Sequence, residues 1–345
     1  MNRIESKEKR QLAIDFCKEH PDMGNMTIAR ILYKQRPELW PNIEAARLSV
    51  RFVRGSQGKK SRHATAPKLP PSPLSTGENY NWQFPESMAT EWKPFIIEGV
   101  KKIGILGDLH IPFHDPKAVH TAIEYFKRVG VDCILLNGDV FDFFSISRFD
   151  KDPTTAKLVD ELWLGREFLG WLGNQFPKAR IIFKEGNHDE RFAHYMWRKC
   201  PELLGLKSLM LQSLCTDTNV ISKREQPAIR IDDWVCDQRI IKAGTLDIMH
   251  GHEAGKGISS PVNPARGIFL RTLENTFCNH YHRSSKHEEK TSKNKLVSCR
   301  SGGCLCYMYP EYARINKWNQ GLCVVELDGN DFHMDERSIA DGRVY

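Results

Sequence analysis

Five short motifs rich in Asp and His lie between residues 107 and 282 of the 345-residue chain: GDLH, GDVFD, GNHD, HGH and NHYH. Their side chains offer oxygen and imidazole donors, namely Asp108, His110, Asp139, Asp142, Asn187, His188, Asp189, His250, His252, His280 and His282. Such donors, without a thiolate, suit Mn, Fe, Zn or Mg rather than a cysteine zinc site. Because these donors are too many for one ion, the sequence predicts a site for two metals.

The segments that must position these motifs have the pattern of β-strands. KKIGIL, VDCILLN, ARIIFKE and TLDIM are apolar, and each ends just before one of the first four motifs. Helices are predicted between them at residues 115–130, with Asp115 as the cap and Gly130 as the terminator, and at residues 154–173. Alternating strands and helices predict an α/β domain with a largely parallel sheet. The carboxyl ends of parallel strands meet at one crevice, so we expect the motifs to converge.

The pattern changes towards the end of the chain. Segments 296–302, 321–329 and 331–337 are predicted strands with little helix between them. We therefore expect a second, mixed or antiparallel sheet in this part of the chain.

The order D-x-H, GDxxD, GNHD, H and HxH resembles the calcineurin-like metallophosphoesterase superfamily over roughly residues 100–340. One such fragment occurs by chance, whereas five in order, each after a predicted strand, are specific. The resemblance implies an α/β sandwich of two mixed sheets flanked by helices. It also implies hydrolysis of phosphate esters by a metal-activated water, without a covalent intermediate.

The resemblance assigns a role to most motif residues. One metal would be bound by Asp108, His110 and His282. The other would be bound by Asn187, His250 and His280. Asp139 would bridge the two ions, since a carboxylate has two oxygens to share. His188 would assist catalysis without binding metal, oriented by Asp189. The expected cofactors are two divalent ions, with Mn favoured over Fe, Zn, Mg, Ni or Co.

The chain departs from the family pattern at two motifs. The last motif usually reads GHxH, and Asn279 replaces the glycine here. Asn tolerates a left-handed backbone, which we expect at this residue. After GDVFD, Phe143 and Phe144 stand where the serine/threonine protein phosphatases of the superfamily carry an arginine. This difference argues against a protein phosphatase, and the motif resembles the superfamily's DNA-repair nucleases and related phosphodiesterases.

Three more residues are weaker candidates for contact with substrate. Arg148 and Arg191 follow the second and third motifs, and either could hold a phosphate or serve as a structural ion-pair partner. His252 is extra to the family pattern and either faces substrate or packs.

The excess positive charge of the chain is local. Residues 1–64 contain 14 Lys or Arg and 7 Asp or Glu, whereas the remainder contains equal numbers of both. We predict a helical module at residues 1–57, a Pro- and Ser-rich linker at 58–93 and the metallophosphoesterase domain at 94–345. The module contains helices near 5–19, 27–36 and 43–54.

Arg47, Arg51 and Arg54 form a row on the last of these helices. Three short helices with such a row resemble a helix-turn-helix module, which implies nucleic acid as the partner, with DNA favoured. The alternative is a small helical bundle that docks on the rest of the protein or mediates dimerisation.

Other classes of protein are excluded by composition. The apolar runs of the chain, such as residues 133–136, are far shorter than the roughly 20 residues of a membrane helix, so no membrane partner is expected. The N-terminal sequence lacks the apolar core of a secretory signal. With ten cysteines spread along the chain, we expect reduced thiols and a cytoplasmic location.

Three hypotheses for function remain open from sequence. The first is a phosphodiesterase or nuclease acting on nucleic acid. The second is a phosphatase or phosphodiesterase for nucleotides or other small molecules. The third is a DNA-binding factor whose metal site is vestigial.

Overall fold

The computed structural model describes residues 3–55, 87–89, 91–152, 154–217, 229–255 and 262–345. The chain forms two compact units, Met1–Ala89 and Thr90–Tyr345. Most of the linker predicted at 58–93 lies outside the described residues.

The N-terminal unit contains three helices: α1 (Arg3–Glu19), α2 (Asn25–Gln35) and α3 (Ile43–Val53). Asn42 caps α3, because its side chain accepts a hydrogen bond from Ala45 N at 2.8 Å. Asn is one of the residues preferred at this position. Ala13, Leu32 and Val50 come from different helices and are fully buried together.

The second unit begins with a series of strands and helices. These are β1 (Phe95–Ile96), β2 (Lys102–Leu106), α4 (Pro116–Val129), β3 (Cys133–Asn137), α5 (Leu158–Gln175), β4 (Arg180–Lys184), α6 (Glu190–Lys199), α7 (Leu211–Thr216) and β5 (Asp233–Val235). The later elements are β6 (Ile241–Ala243), β7 (Leu246–Met249), α8 (Pro264–Thr272), β8 (Thr276–Cys278), β9 (Ser285–Lys290), β10 (Leu296–Ser301), β11 (Gln320–Asp328), β12 (Asp331–Ala340) and β13 (Arg343–Val344).

These strands form two mixed sheets. The first has the order β13-β12-β11-β2-β3-β4-β5, and the second has the order β1-β6-β7-β8-β10-β9. Strands β2 to β5 are parallel, with Leu106 paired to Leu136 and Leu136 paired to Phe183. The loops after β2, β3 and β4 therefore leave the sheet at nearly the same level, which brings the first three motifs together.

Apolar residues cover both faces of the first sheet. Successive side chains of a strand point to opposite faces. Ile105 and Leu135 belong to the core shared with the second sheet, whereas Leu136 and Phe183 belong to the core under the helices. Truncating one such buried leucine to alanine costs about 2–5 kcal/mol. A sheet buried on both faces explains why the strand segments are continuous apolar runs.

The ends of α4 follow the predicted signals. Asp115 Oδ1 accepts hydrogen bonds from Lys117 N at 2.9 Å and Ala118 N at 3.1 Å. Gly130 ends the helix with a φ of 71°. Because glycine has no Cβ, it adopts this left-handed conformation without strain.

The C-terminal strands are divided between the two sheets. β10 joins the second sheet, as expected, but β11 and β12 extend the first, with Cys323 paired to Ile105. The expected second sheet is present and mixed, but of the three late strands only β10 belongs to it. The sheet that a strand joins depends on its distant pairing partner, which the local pattern does not contain. Among the described helices, none is long and apolar enough to cross a bilayer.

Candidate metal centre

Several predicted metal ligands have an unusual backbone conformation. Positive φ angles of 50–75° occur at Asp108, His110, Asp139, His280 and His282. A left-handed conformation costs a residue with a side chain about 1–3 kcal/mol and persists only where the surroundings enforce it. Its recurrence at these residues marks the crevice at the strand ends as a functional site.

Four predicted ligands form a first buried cluster. One donor atom from each of Asp108, His110, Asp139 and His282 lies within 4.8 Å of the others. The Nε2 atoms of His110 and His282 are 3.0 Å apart. Two imidazole nitrogens facing each other beside two carboxylates suit a shared cation.

A second cluster shares Asp139 with the first. Donor atoms of Asp139, His250 and His280 lie within 4.8 Å of one another. His250 Nε2 and Asn187 Oδ1 are buried and form no well-aligned hydrogen bond with a described residue, although Asp139 Oδ2 lies 3.2 Å from His250 Nε2. A buried polar atom without a partner costs about 1–3 kcal/mol, so both atoms suit contact with a cation. Asp139, common to both clusters, occupies the place of a bridging carboxylate.

Neighbouring acceptors fix how two of the histidines are protonated. His110 Nδ1 lies 2.9 Å from Asp142 Oδ2, and His250 Nδ1 lies 2.8 Å from the carbonyl oxygen of Asn137. Each Nδ1–H donates to these oxygens, so Nε2 is the ring atom that faces the cluster, where it can bind either a proton or a metal ion.

Glycine is needed in GDVFD and in GNHD, where the backbone passes close to predicted metal ligands. A Cβ on Gly138 would lie 2.3 Å from His250 Nδ1, and a Cβ on Gly186 would lie 2.4 Å from Asp139 Oδ1. Both distances are shorter than any contact that heavy atoms tolerate. The glycines of GDVFD and GNHD therefore make room for the ligands of the neighbouring loops.

Negative charge dominates the electrostatics of the two clusters. Burial lowers the pKa of His250, but the carboxylate of Asp139 outweighs it and raises the pKa to about 10. In the same way, Asp108 outweighs burial and raises the pKa of His282 to about 9. Burial opposes ionisation of Asp139, yet the adjacent histidines hold its pKa well below the usual range. Such a site attracts cations, either protons or metal ions.

Asp142 is a residue of the site for which the sequence predicted a donor side chain but no specific role. Its carboxylate is 2.9 Å from His110 Nδ1 and 3.3 Å from His188 Nδ1, and 3.4 Å from Arg191 Nη1. The second Asp of GDxxD was the available signal, but the motif does not say which side chains it contacts.

The predicted role of Asp189 is wrong. Its carboxylate accepts hydrogen bonds from Phe141 N and Gly186 N, both at 2.9 Å, rather than from His188. Asp189 therefore ties the GNHD loop to the GDVFD loop, and Asp142 takes the place beside His188.

Asn279 also differs from expectation. It is absent from the described residues with positive φ, whereas its neighbour His280 has a φ of 72°. Asn279 Oδ1 accepts a hydrogen bond from Asn137 Nδ2 at 2.9 Å. The residue thus joins the end of β3 to the NHYH loop through its side chain rather than through an unusual backbone.

The three weaker candidates all line one cleft of about 520 Å³, together with Asn187 and His280. Arg191 donates to the carbonyl oxygen of Asp142 at 2.9 Å and lies 2.9 Å from His188 Nε2. His252 lies 3.3 Å from Glu190 and 3.4 Å from Glu253. Arg148 is exposed on the wall of this cleft.

A family model described as calcineurin-like phosphoesterase matches residues 101–294. The chain belongs to the calcineurin-like phosphoesterase family.

This phosphoesterase shares limited sequence identity with the following proteins. It is 24% identical over 259 residues to the Gene 54 protein of Mycobacterium phage L5, with 70% of this chain and 95% of that protein covered. Among solved structures it resembles Vps29 from Cryptosporidium parvum at 14% identity, a TM-score of 0.38 and coverage of 72% and 96%. It resembles the Escherichia coli phosphoesterase YfcE at 14% identity, a TM-score of 0.31 and coverage of 70% and 96%. The Pseudomonas putida nuclease MPE matches at 8% identity, a TM-score of 0.28 and coverage of 68% and 87%.

The phosphoesterase is a metal-dependent hydrolase, and its donor set fits a dimetal site. Two divalent cations bound there would polarise a phosphate and lower the pKa of a bound water. The protein contributes the orientation of the imidazoles, through Asp142 and Asn137, and the sharing of Asp139. It also excludes water from the ligands, since Asp108 and His250 are fully buried.

In the N-terminal unit of the phosphoesterase, the three arginines predicted to form one row differ in their contacts. Arg54 donates to the carbonyl oxygens of Met23, His20 and Pro21 at 2.6, 2.9 and 3.1 Å. Its guanidinium holds the turn between α1 and α2, so Arg54 has a structural role that the sequence did not predict, and its contact with nucleic acid stays a prediction. Arg47 pairs only with Glu44 on the surface, at 3.0 Å, and Arg51 is half-buried.

Proposed function

We propose that this phosphoesterase is a phosphodiesterase that cleaves nucleic acid. The observation that carries the choice of a diester is the pairing of Arg191 with Asp142 beside the metal ligands. A phosphate monoester is a dianion near neutral pH and calls for strong positive charge, whereas a diester carries a single charge. A guanidinium that is partly neutralised by a carboxylate suits the diester.

The residue after GDVFD supports this proposal. Phe143 is fully buried, with its ring stacked on Phe141 at a centroid distance of 5.0 Å. An arginine at this point of the chain would grip the phosphate in a protein phosphatase. Here an apolar side chain packs into the core instead.

His188 is proposed to act on the leaving oxygen. It lies between Asp142 and Arg191, with its side chain 15% exposed. The arginine donates to His188 Nε2, so the proton of the neutral ring is on Nδ1, facing Asp142. Because Asp142 holds Nδ1, Nε2 is the ring atom that would face the leaving oxygen once substrate displaces Arg191 from it, and there His188 would deliver a proton or steady the developing charge.

Nucleic acid is proposed as the substrate because of the charge of the N-terminal unit. Residues 1–64 contain twice as many basic as acidic residues, 14 against 7. Arg47 and Arg51 remain as candidates for phosphate contact on α3, with DNA favoured as the ligand. Mn is the proposed metal, because mixed carboxylate, amide and imidazole donors suit it. A cytoplasmic location is proposed because all ten cysteines are free thiols.

Hydrolysis of bis-para-nitrophenyl phosphate and para-nitrophenyl phosphate by chelator-stripped protein with added Mn tests the proposal. We expect metal-dependent cleavage of the diester, lost in Asp139→Asn and reduced in His188→Ala. Preference for the monoester would instead support a phosphatase. Bound metal without cleavage of either compound, or of any oligonucleotide, would support a vestigial site.

A further inference from the structure

The cleft beside the metal ligands is also lined by basic side chains that, in the described part of the chain, make no contact with Asp142 or with a predicted metal ligand. Besides Arg191, its walls include Arg148, His194 and Arg198. Arg191, His194 and Arg198 are three and four residues apart on α6, so they share one face of that helix. The cleft also reaches Asn187 and His280 of the second metal cluster.

Two of these arginines have free guanidinium groups. Arg148 and Arg198 are exposed, and no described residue forms an ion pair or hydrogen bond with either side chain. The acidic residue on the same wall, Glu190, is already engaged by His252 at 3.3 Å and Gln238 at 3.2 Å. The cleft therefore retains positive charge available to an anionic ligand, and exposed Phe149 lies beside it.

Beside the other metal cluster is an aromatic loop, defined as residues 307–318 between β10 and β11. Tyr307, Tyr309 and Tyr312 are 60%, 52% and 75% exposed. The same loop contributes the exposed basic residues Arg314 and Lys317. Exposed aromatic rings interleaved with basic residues are typical of surfaces that bind single-stranded nucleic acid.

The aromatic loop is anchored on a predicted metal ligand at both of its ends. Cys306 Sγ lies 3.9 Å from His282 Nδ1, just before the loop begins. At its far end the ring of Trp318 contacts that of His282, with centroids 4.1 Å apart. The ring of Tyr312 lies 6.3 Å from that of Trp318. The exposed ring of Tyr312 is therefore held near the first metal cluster, and the loop that carries the other two tyrosines begins and ends beside His282.

We propose that the metal centre lies within a binding groove for single-stranded nucleic acid. In this groove, the cleft lined by Arg148, Arg191 and Arg198 holds a backbone phosphate, and the aromatic loop stacks unpaired bases. This inference rests on the proposed function and adds the form of the substrate. Stacking on a tyrosine requires a base with an open face, and in a duplex both faces are covered by neighbouring base pairs. Contacts on both sides of the metals suit a chain that continues past the scissile phosphate in both directions.

The test compares kcat and KM for a single-stranded oligonucleotide and for the same strand annealed to its complement, using the full-length, Mn-loaded protein. Arg47→Ala with Arg51→Ala is used as the background, so that duplex binding by the N-terminal unit does not obscure the result. We expect kcat/KM for the single strand to exceed that for the duplex by at least about tenfold.

Variants of the loop and the cleft locate the contacts. Tyr312→Ala should raise KM for the single strand about tenfold, with a smaller change in kcat, and Tyr312→Phe should restore it because the stacking ring is kept. Ile315→Ala is the control for the loop, since Ile315 is 99% exposed and not aromatic. Arg198→Ala should weaken the salt dependence of KM, whereas Lys199→Ala, which removes an exposed charge outside the cleft, should not.

Two results would overturn the inference in distinguishable ways. If the duplex is cleaved as well as the single strand, or if Tyr312→Phe fails to restore KM, the single-strand groove is wrong but the nucleic-acid function stands. If bis-para-nitrophenyl phosphate is hydrolysed and neither form of the oligonucleotide is cleaved, the proposed nucleic-acid function fails and the groove with it.

Discussion

Asp142 and His110 form a hydrogen bond of 2.9 Å that links GDVFD to GDLH beneath the metal centre. The bond directs His110 Nε2 into the first cluster. The same carboxylate lies 3.3 Å from His188 Nδ1. One side chain thus orients both a predicted metal ligand and the proposed acid.

Replacing this carboxylate should weaken both roles. Asp142→Asn removes the negative charge beside both histidines, and an NH₂ group in place of Oδ1 would face the Arg191 guanidinium, from which it cannot accept a hydrogen bond. We expect metal affinity or kcat to fall about 10- to 100-fold, as is usual when a partner of a metal-bound histidine is removed. Metal titration and steady-state kinetics measure the two effects. Asp150→Asn, an exposed change a few residues further on, serves as the control. Equal activity in both variants would remove Asp142 from the site.

Metal binding should stabilise the folded protein. The buried donors of the two clusters are assembled only in the folded chain, so an ion bound there raises the free energy of unfolding. Adding Mn to stripped protein at about 100 times its dissociation constant should contribute about 3 kcal/mol and raise Tm. Asp139→Asn, which removes the shared carboxylate, should abolish most of this rise. A Tm that is insensitive to Mn in the unmodified protein would argue against a dimetal site.

Substitutions of two arginines near α3 should have different effects, one on the stability of the N-terminal unit and the other on DNA binding. Arg54→Ala removes hydrogen bonds to the carbonyl oxygens of Met23, His20 and Pro21. Loss of this clamp should destabilise the N-terminal unit by about 1–3 kcal/mol, measured by hydrogen exchange of its helices. Arg47→Ala breaks only a surface pair with Glu44, so it should cost a few tenths of a kcal/mol and weaken binding to DNA instead. If Arg54→Ala instead weakened DNA binding and left stability unchanged, Arg54 would be a nucleic-acid contact rather than a structural residue.

A buried carboxyl outside the site should make stability depend on pH. Burial raises the pKa of Glu336 to about 7, and Ser284 and Arg300 only partly offset this effect. The thiols of Cys278 and Cys323 are the other titratable groups close to the Glu336 carboxyl. The folded state therefore binds more protons than the unfolded state between pH 4.5 and 7, so the free energy of unfolding falls as pH rises through this range.

Glu336→Gln should remove this decrease of the unfolding free energy with rising pH. The variant cannot ionise, so we expect its unfolding free energy to exceed that of the unmodified protein by up to about 3 kcal/mol above pH 7. Near pH 4.5 the two proteins should be similar, because the carboxyl is then protonated in the folded state. Denaturant titration at several pH values measures the difference. Exposed Glu326, changed to Gln, is the control, and a parallel response in both variants would contradict the prediction.

Much of the architecture is encoded in short stretches of sequence. The strand segments before the motifs, the Asp115 cap and Gly130 terminator of α4, and the Asn42 cap of α3 all depend on residues close together in the chain. The family fold could therefore be predicted. The division of late strands between two sheets could not, because Cys323 pairs with Ile105 across more than two hundred residues.

For the site, the sequence by itself determined which residues offer metal-type donors and at which strand ends they stand. The tertiary structure decided which partner each side chain contacts: Asp142 rather than Asp189 lies beside His188, and Arg54 holds a turn. The physical reason is the distance along the chain over which each kind of interaction acts. Periodicity and caps act over one or two turns of chain, whereas a hydrogen bond across the crevice depends on the register of separate strands and on backbone conformations that distant contacts enforce.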